Sequence, residues 1–178
     1  MKYPHVGESK SRHQHGGPET VVLFAVAHQT FAIAADAVQE FRSTDGLAAA
    51  ATEIEDPELP KVRHTFDRGR RTYYIVNAGM HFGLPVTRPT LVLILRRLRA
   101  AVLVDRIERM AEIPSLYPLP HAFTGEARQW YRGLAYMEDQ VIPVLNPFGF
   151  LTAQEFEQLD RVTSASLSQR QTEGAVQA

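Results

Sequence analysis

The most apolar stretch of the chain, Thr90–Pro114, admits two periodicities. Leu91, Ile94, Leu95, Leu98 and Val102 fall at helical spacings. Counted by parity, Val92, Ile94, Leu98, Ala100, Val102 and Val104 share one face, and Leu91, Leu93 and Leu95 the other. That second pattern predicts a strand buried on both faces, a charged turn at Arg96–Arg97 and a return strand. Leu, Arg and Ala favour helix. Short apolar runs separated by charge, and a polar residue closing Val-Leu-Val-Asp, favour strands. Periodicity alone leaves both open. The stretch is too short and too charged for a membrane helix, which needs roughly 20 mainly apolar residues.

Elsewhere the pattern is more decided. Val21–Val26 and Phe31–Ala34 are strand candidates joined by a polar turn at Ala27–Thr30, and so predict a hairpin. Asp36 is placed to cap a short segment, Ala37–Phe41, with Val38 and Phe41 on one face. Arg42–Pro60 reads as loop, with Ala48–Ala51 as a helical turn that nothing sustains. Thr72–Val76 is a strand of aromatic and β-branched residues, followed by breaks at Gly79, Gly83 and Pro85. Arg106–Ile113 is a further strand candidate, and Pro114, Pro118 and Pro120 make Ser115–Phe123 extended and irregular. Trp130–Met137 and Gln140–Leu145 flank a tight turn at Glu138–Asp139. Pro143 inside the second run predicts an edge position or a bulge. Thr152 and Glu155 form a capping box for the helix TAQEFEQLDRV, with Phe156 and Leu159 on its buried side. Residues 1–19 and 164–178 are polar enough to be expected as a disordered tail and a flexible tail around a domain at 20–163.

Composition narrows the function. The chain has 178 residues, 44% of them hydrophobic, which suffices for a sizeable core. A formal net charge of -1 gives no global pull towards nucleic acid or anionic membrane. Cysteine is absent, which removes disulfides, thiolate metal sites and thiol nucleophiles together. The N-terminus lacks the apolar core of a secretory signal, so a cytoplasmic protein is expected.

Catalytic chemistry is not visible. Gly79-Met-His-Phe-Gly83 lacks the lysine and hydroxyl of a phosphate loop, and no HExxH pattern occurs. His13 and His15 lack a carboxylate framework for a metal. His81 and His121 read as packing or surface residues. Glu138 and Asp139 read as turn residues rather than an acid–base pair. Neither a cofactor, a metal nor a small-molecule substrate is expected. The acidic Glu53, Glu55, Asp56 and Glu58 give way to the basic Lys61, Arg63, Arg68, Arg70 and Arg71, most simply a solvated loop face.

Four stretches in order resemble the CheW family of chemotaxis adaptor domains. VVLFAVAHQTFAIAADAVQEF is similar to that family's opening hairpin and Val-x-Glu segment, here Val38-Gln39-Glu40. RAAVLVDRIERMAEIP resembles its LLVDxVxxVxxIP element, and WYRGLAYMEDQVIPVLNPFGFL its Tyr-x-x-Gly-hydrophobic hairpin. TAQEFEQLD resembles its closing acidic helix. The resemblance spans about residues 20–162 and implies the hairpin reading of Thr90–Pro114. It further implies a mainly β fold of two small SH3-like, five-stranded β-barrel subdomains, with an apolar core in each and another between them.

The resemblance also implies a non-enzymatic adaptor. Family members bridge the regulatory domain of a CheA-type histidine kinase to the cytoplasmic tip of methyl-accepting chemoreceptors. The tip lies in an apolar groove between the barrels and the kinase packs on barrel ends. Carried onto this chain, partner contacts would fall on Val38, Glu40, Arg63, Asp105, Arg132 and Gly133. Core packing is the competing reading for Val38, and a turn cap for Asp105. One turn departs from the family's Asn-Leu-Arg-Gly: Asp67 stands for the Asn, and Arg68-Gly69 sits one residue early. That departure is compatible with a divergent member serving pilus or gliding control, or with one that no longer couples a kinase. The alternative function is a small β-barrel that binds nucleic acid through the arginines at 63–71 and 96–99, with Tyr73 and Tyr74 as a stacking surface. The near-neutral charge argues against it.

Overall fold

The computed structural model describes residues 17–85 and 87–176. The opening hairpin forms as expected, from β1 (Glu19–Val26) and β2 (Gln29–Ala34). Glu19, assigned to the tail from composition, is already in β1. The turn itself is Ala27–His28, with both residues at positive φ, 49° and 69°. Such a turn suits the twist of paired strands but is uphill for residues with a Cβ. Asp105 offsets this, its Oδ2 accepting the Ala27 N–H at 2.7 Å.

The chain then crosses to a second sheet, and here the expected capped segment is wrong. A 3-10 turn at Ala35–Ala37 leads directly into β3 (Val38–Ser43). Val38 and Phe41 fit a strand, and pairing with an apolar neighbour decides the matter. The expected loop 42–60 is also more ordered. α1 (Thr44–Ala48) is capped by Ser43, whose Oγ accepts the Gly46 N–H at 3.1 Å, and β4 (Ala51–Glu53) follows. The basic run is strand rather than loop: β5 (Val62–Arg68) and β6 (Arg71–Asn77) meet at a two-residue turn in which Gly69 takes φ 63°. α2 (Ala78–His81) then packs over the sheet, capped by Asn77.

Thr90–Pro114 is the hairpin, β7 (Leu91–Leu95) with β8 (Ala100–Val104), continued by β9 (Arg106–Ile113). The parity reading holds within β7 but fails across the turn. Leu93 sits opposite Val102 and Leu91 opposite Val104, so Val102 and Val104 share a face with the odd-numbered leucines. Directly opposed residues of a ladder share a face, and the turn length sets which parity that is. β10 (Tyr131–Met137) and β11 (Gln140–Leu145) close the β region around Glu138–Asp139, again both at positive φ. Pro143 is not on an edge strand or at the bulge. It faces Leu134 within the hairpin, and the ladder of β11 to β2 is the single pair Val144–Ala32.

One sheet has the order β10-β11-β2-β1-β9 and the other β3-β7-β8-β6-β5-β4. Each curls towards itself. Arg109 of β9 reaches Glu138 beyond β10 at 2.7 Å, and Glu40 of β3 reaches Arg68 of β5. Three apolar clusters result. Val21, Leu23, Ala32, Ile113, Ala135, Ile142 and Val144 fill the first sheet's concavity. Leu47, Phe66, Tyr73, Ile75, Val92, Ile94 and Ala101 fill the second's. The largest cluster lies between the sheets, where Val22, Phe24, Phe31 and Ile33 meet Tyr74, Val76, Leu93, Leu95 and Val102.

α3 (Ala153–Val176) starts at the expected capping box. The Thr152 N–H donates to Glu155 Oε2 at 2.7 Å, and the Glu155 N–H to Thr152 Oγ1 at 3.2 Å. Leu159 is fully buried in the shared core and Phe156 packs against it. The helix runs far beyond residue 163, where a flexible tail was expected. No proline interrupts it, and Ser164, Ser166 and Ser168 hydroxyls return to carbonyls one turn back at 2.8–3.0 Å. The N-terminal tail, with His13 and His15, lies outside the described residues.

Candidate functional site

The exposed edge strand β3 carries the first group of candidates. Its Glu40 accepts from Arg42 Nε at 2.8 Å and pairs with Arg68 at 3.4 Å. Phe41 beside it is 44% exposed, although its cross-strand partner Leu93 lies in the shared core. Val38 is only 6% exposed and belongs to that core. Its carbonyl accepts from Arg96 at 3.3 Å. The side chain therefore offers a partner no surface.

Arg63 lies at the other end of β5, exposed beside Glu53, Glu55 and Asp56 around a cavity of about 510 Å³. It is Arg68, not Arg63, that the fold brings to Glu40. No local pattern announces that pairing, because β3 and β5 are not neighbours in the strand order.

The remaining predicted residues hold the scaffold together. Asp105 accepts from Ala27 N–H and from Thr87 Oγ1 at 2.6 Å, while its carbonyl accepts from Thr90 Oγ1 at 2.7 Å. It pins the crossover between the sheets, as a turn cap does. A Cβ at Gly133 would collide with the Tyr117 carbonyl oxygen and the Leu116 side chain, because the 115–118 segment pairs across β10 there. Arg132, by contrast, is exposed and donates from Nη1 to Glu19 Oε1 at 2.6 Å.

Two polar features were not foreseen. Arg99 grips Asp160 of α3 with two bonds of 2.8 Å, and the Tyr74 hydroxyl donates to the same carboxylate. The guanidinium also covers the Tyr74 and Phe156 rings at 5.6 and 5.5 Å. Arg99's hydrogen bonds hold the Asp160 carboxyl below its ordinary value, with Tyr74 adding to the effect. Burial, then the Asp160 hydrogen bond, pushes the Tyr74 phenol up to about 12. Such partners are over 60 residues apart, so no local pattern announces them.

The second feature is His81, 6% exposed among the rings of Phe82, Trp130 and Phe150 at 4.5–5.3 Å. Among the described residues, its Nε2 has no hydrogen-bond partner. Burial, then the charge of Lys61, pushes its pKa down to about 3. The expected packing role fits this environment. His121 is exposed.

Tyr73 and Tyr74 are buried, at 8% and 0% exposure, which removes the stacking surface that a nucleic-acid reading requires. Among the described residues, no three His, Cys, Asp or Glu converge as metal ligands, and no helix is long and apolar enough to cross a membrane.

A family model described as CheW-like domain matches residues 20–155. The crystal structure of the scaffolding protein TtCheW from Thermoanaerobacter tengcongensis superposes with a TM-score of 0.62 at 19% identity. The match covers 76% of this chain and 94% of that one. No curated protein matches the chain significantly.

Proposed function

The chain belongs to the CheW-like domain family, and from that premise we propose that it is a non-enzymatic adaptor coupling chemoreceptor tips to the regulatory domain of a CheA-type histidine kinase. The observation that carries the reading is Phe41. It extends the row of inter-sheet core positions out to an exposed edge, where an aromatic side chain beside the paired Glu40 and Arg68 suits an apolar receptor helix. Val38 then packs beneath that surface, Glu40 and Phe41 lie on it, Asp105 holds the crossover between the sheets, and Arg63, beside the acidic loop, and Arg132, on β10, offer further polar contacts. The shifted Asp67-Arg68-Gly69 turn supports a dedicated output such as pilus or gliding control. Cytoplasmic residence follows from partners of this kind.

The test uses a CheA-type regulatory domain and a chemoreceptor tip fragment from the source organism as pull-down partners. Phe41→Glu should keep the wild-type melting temperature and lose the receptor fragment from pull-downs. Val38→Arg should fail to fold, since burying a Val is worth ~1.5–3 kcal/mol and a buried unpaired charge costs more. A folded Phe41→Glu that captures both partners at wild-type strength would place the receptor elsewhere. Wild-type protein that captures neither partner would overturn the adaptor reading.

A further inference from the structure

Where β10 of the first sheet meets the crossover at Ala35–Ala37 and the β7–β8 turn of the second, opposite in charge to the acidic loop 53–58, two cavities of about 420 and 470 Å³ adjoin, both lined by Tyr131 and Arg132. Arg128 lines one, and Arg96 and Arg97 line the other. The only carboxylates on either wall are Glu19, which Arg132 already engages, and Asp36. Arg96 and Arg128 spend single bonds on the carbonyls of Val38 and Phe123. Arg97 is exposed and held at φ 67°, with no hydrogen bond or ion pair among the described residues. Phe148 stands at the rim, 60% exposed, and Leu116, Tyr117 and Leu119 line the far end.

We propose that this arginine-lined trough is a docking surface for an acidic polypeptide segment bearing apolar anchors, with Arg97, Arg128 and Arg132 pairing its carboxylates and Phe148 and Tyr117 seating its apolar side chains. The inference rests on the adaptor reading and adds the chemistry of one partner. Guanidinium forks match carboxylates in a two-bonded geometry, and arginine and aromatic residues together are the usual composition of interface hot spots. Six charged side chains of net sign +2 suit a short acidic peptide. A single nucleic-acid strand would need successive open ring faces, and Phe148 is the one widely exposed ring here.

The full chain is panned against phage-displayed random dodecapeptides. The best-enriched peptide is then synthesised with a fluorophore and titrated by anisotropy, beside a labelled oligo-dT. Enriched sequences should carry net negative charge with Leu, Phe or Trp. Affinity should fall at least tenfold in Arg97→Glu and Arg128→Glu, about threefold in Phe148→Ala, and steeply between 50 and 300 mM salt, with Arg71→Glu on the other sheet unaffected. Enrichment without acidic bias, unchanged affinity in both Arg→Glu variants, or tighter binding of oligo-dT than of the peptide would each overturn the proposal. Pull-down of the kinase and receptor fragments by the same variants separates the two readings. Wild-type capture of both fragments with no peptide selected sinks the trough alone, and capture of neither sinks the adaptor role as well.

Discussion

Two regions fasten other parts of the molecule to the second sheet, and they use opposite chemistry. At the C-terminal helix the fastening is polar: Arg99, Asp160 and Tyr74 satisfy one another at the half-exposed rim of the shared core. At α2 it is apolar. His81 and Phe82 enter a cage of Phe31, Trp130, Tyr131 and Phe150 contributed by the first sheet and its flanking segments. The polar clamp keeps its charges because water screens and solvates them. The cage excludes water, so its histidine stays neutral, and among the described residues His81 Nε2 remains unpaired. The clamp thus adds specificity for where α3 docks, while the cage supplies cohesion and sets an acid limit.

The largest effect should come from emptying the cage. Phe150, 2% exposed, touches both His81 and Phe82. Phe150→Ala is expected to cost about 3–5 kcal/mol in denaturant unfolding. Phe156→Ala at the clamp removes a half-buried ring and should cost clearly less. Equal losses would mean that the two regions do not differ in cohesion.

Acid should act on the cage next. His81 is depressed from 6.5 to about 3 by burial. Between those values the unfolded chain binds a proton that the folded chain does not, so stability rises with pH in that window. The contribution is complete above about pH 6.5 and is lost progressively as pH falls towards 3. Moving from pH 7 to 5 should cost on the order of 2 kcal/mol. His81→Phe removes the titrating group, and its unfolding free energy should be nearly flat over pH 5–7. A variant that keeps the wild-type slope would assign the acid sensitivity to another group.

The same contrast explains what the amino-acid sequence could disclose. Both terminal hairpins, the α3 capping box and the strand at Thr72–Val76 are local in origin, set by apolar runs, turn residues and a three-residue spacing. All are where they were expected. β3 was missed because Val38–Ser43 becomes a strand only by pairing with β7, some 50 residues later. The faces of Val102 and Val104 were misassigned because parity does not survive a turn of unknown length. Glu40 and Arg132 were singled out from motif position, and each forms a surface ion pair. Their partners, Arg68 and Glu19, depend on how the sheets curl. Val38 was ambiguous for the same reason: its chemistry suits a core and a groove alike, and only tertiary burial distinguishes them. The clamp and the trough were invisible, since each joins residues from distant elements.

The smallest predicted effect isolates the clamp. Asp160 is about half exposed, so its bonds to Arg99 and Tyr74 are discounted by solvent, and Asp160→Asn should cost only about 1 kcal/mol at pH 7. Its acid window differs from that of the cage. Because the folded carboxyl is held low by Arg99, its contribution is present above the unfolded value near 3.8 and is lost as pH falls below it. The clamp also has an alkaline window. Tyr74 is raised to about 12, so its contribution is full below pH 10 and decays between pH 10 and 12, where the unfolded phenol has already lost its proton. In a His81→Phe background, the remaining acid slope should therefore begin only below about pH 4, and Asp160→Asn should flatten it. Hydrogen exchange at α3 amides gives the regional readout, since protection there should drop in Asp160→Asn while β1 and β2 amides stay unchanged. Exchange that rises equally in β1 would show that the clamp supports the whole fold rather than the docking of one helix.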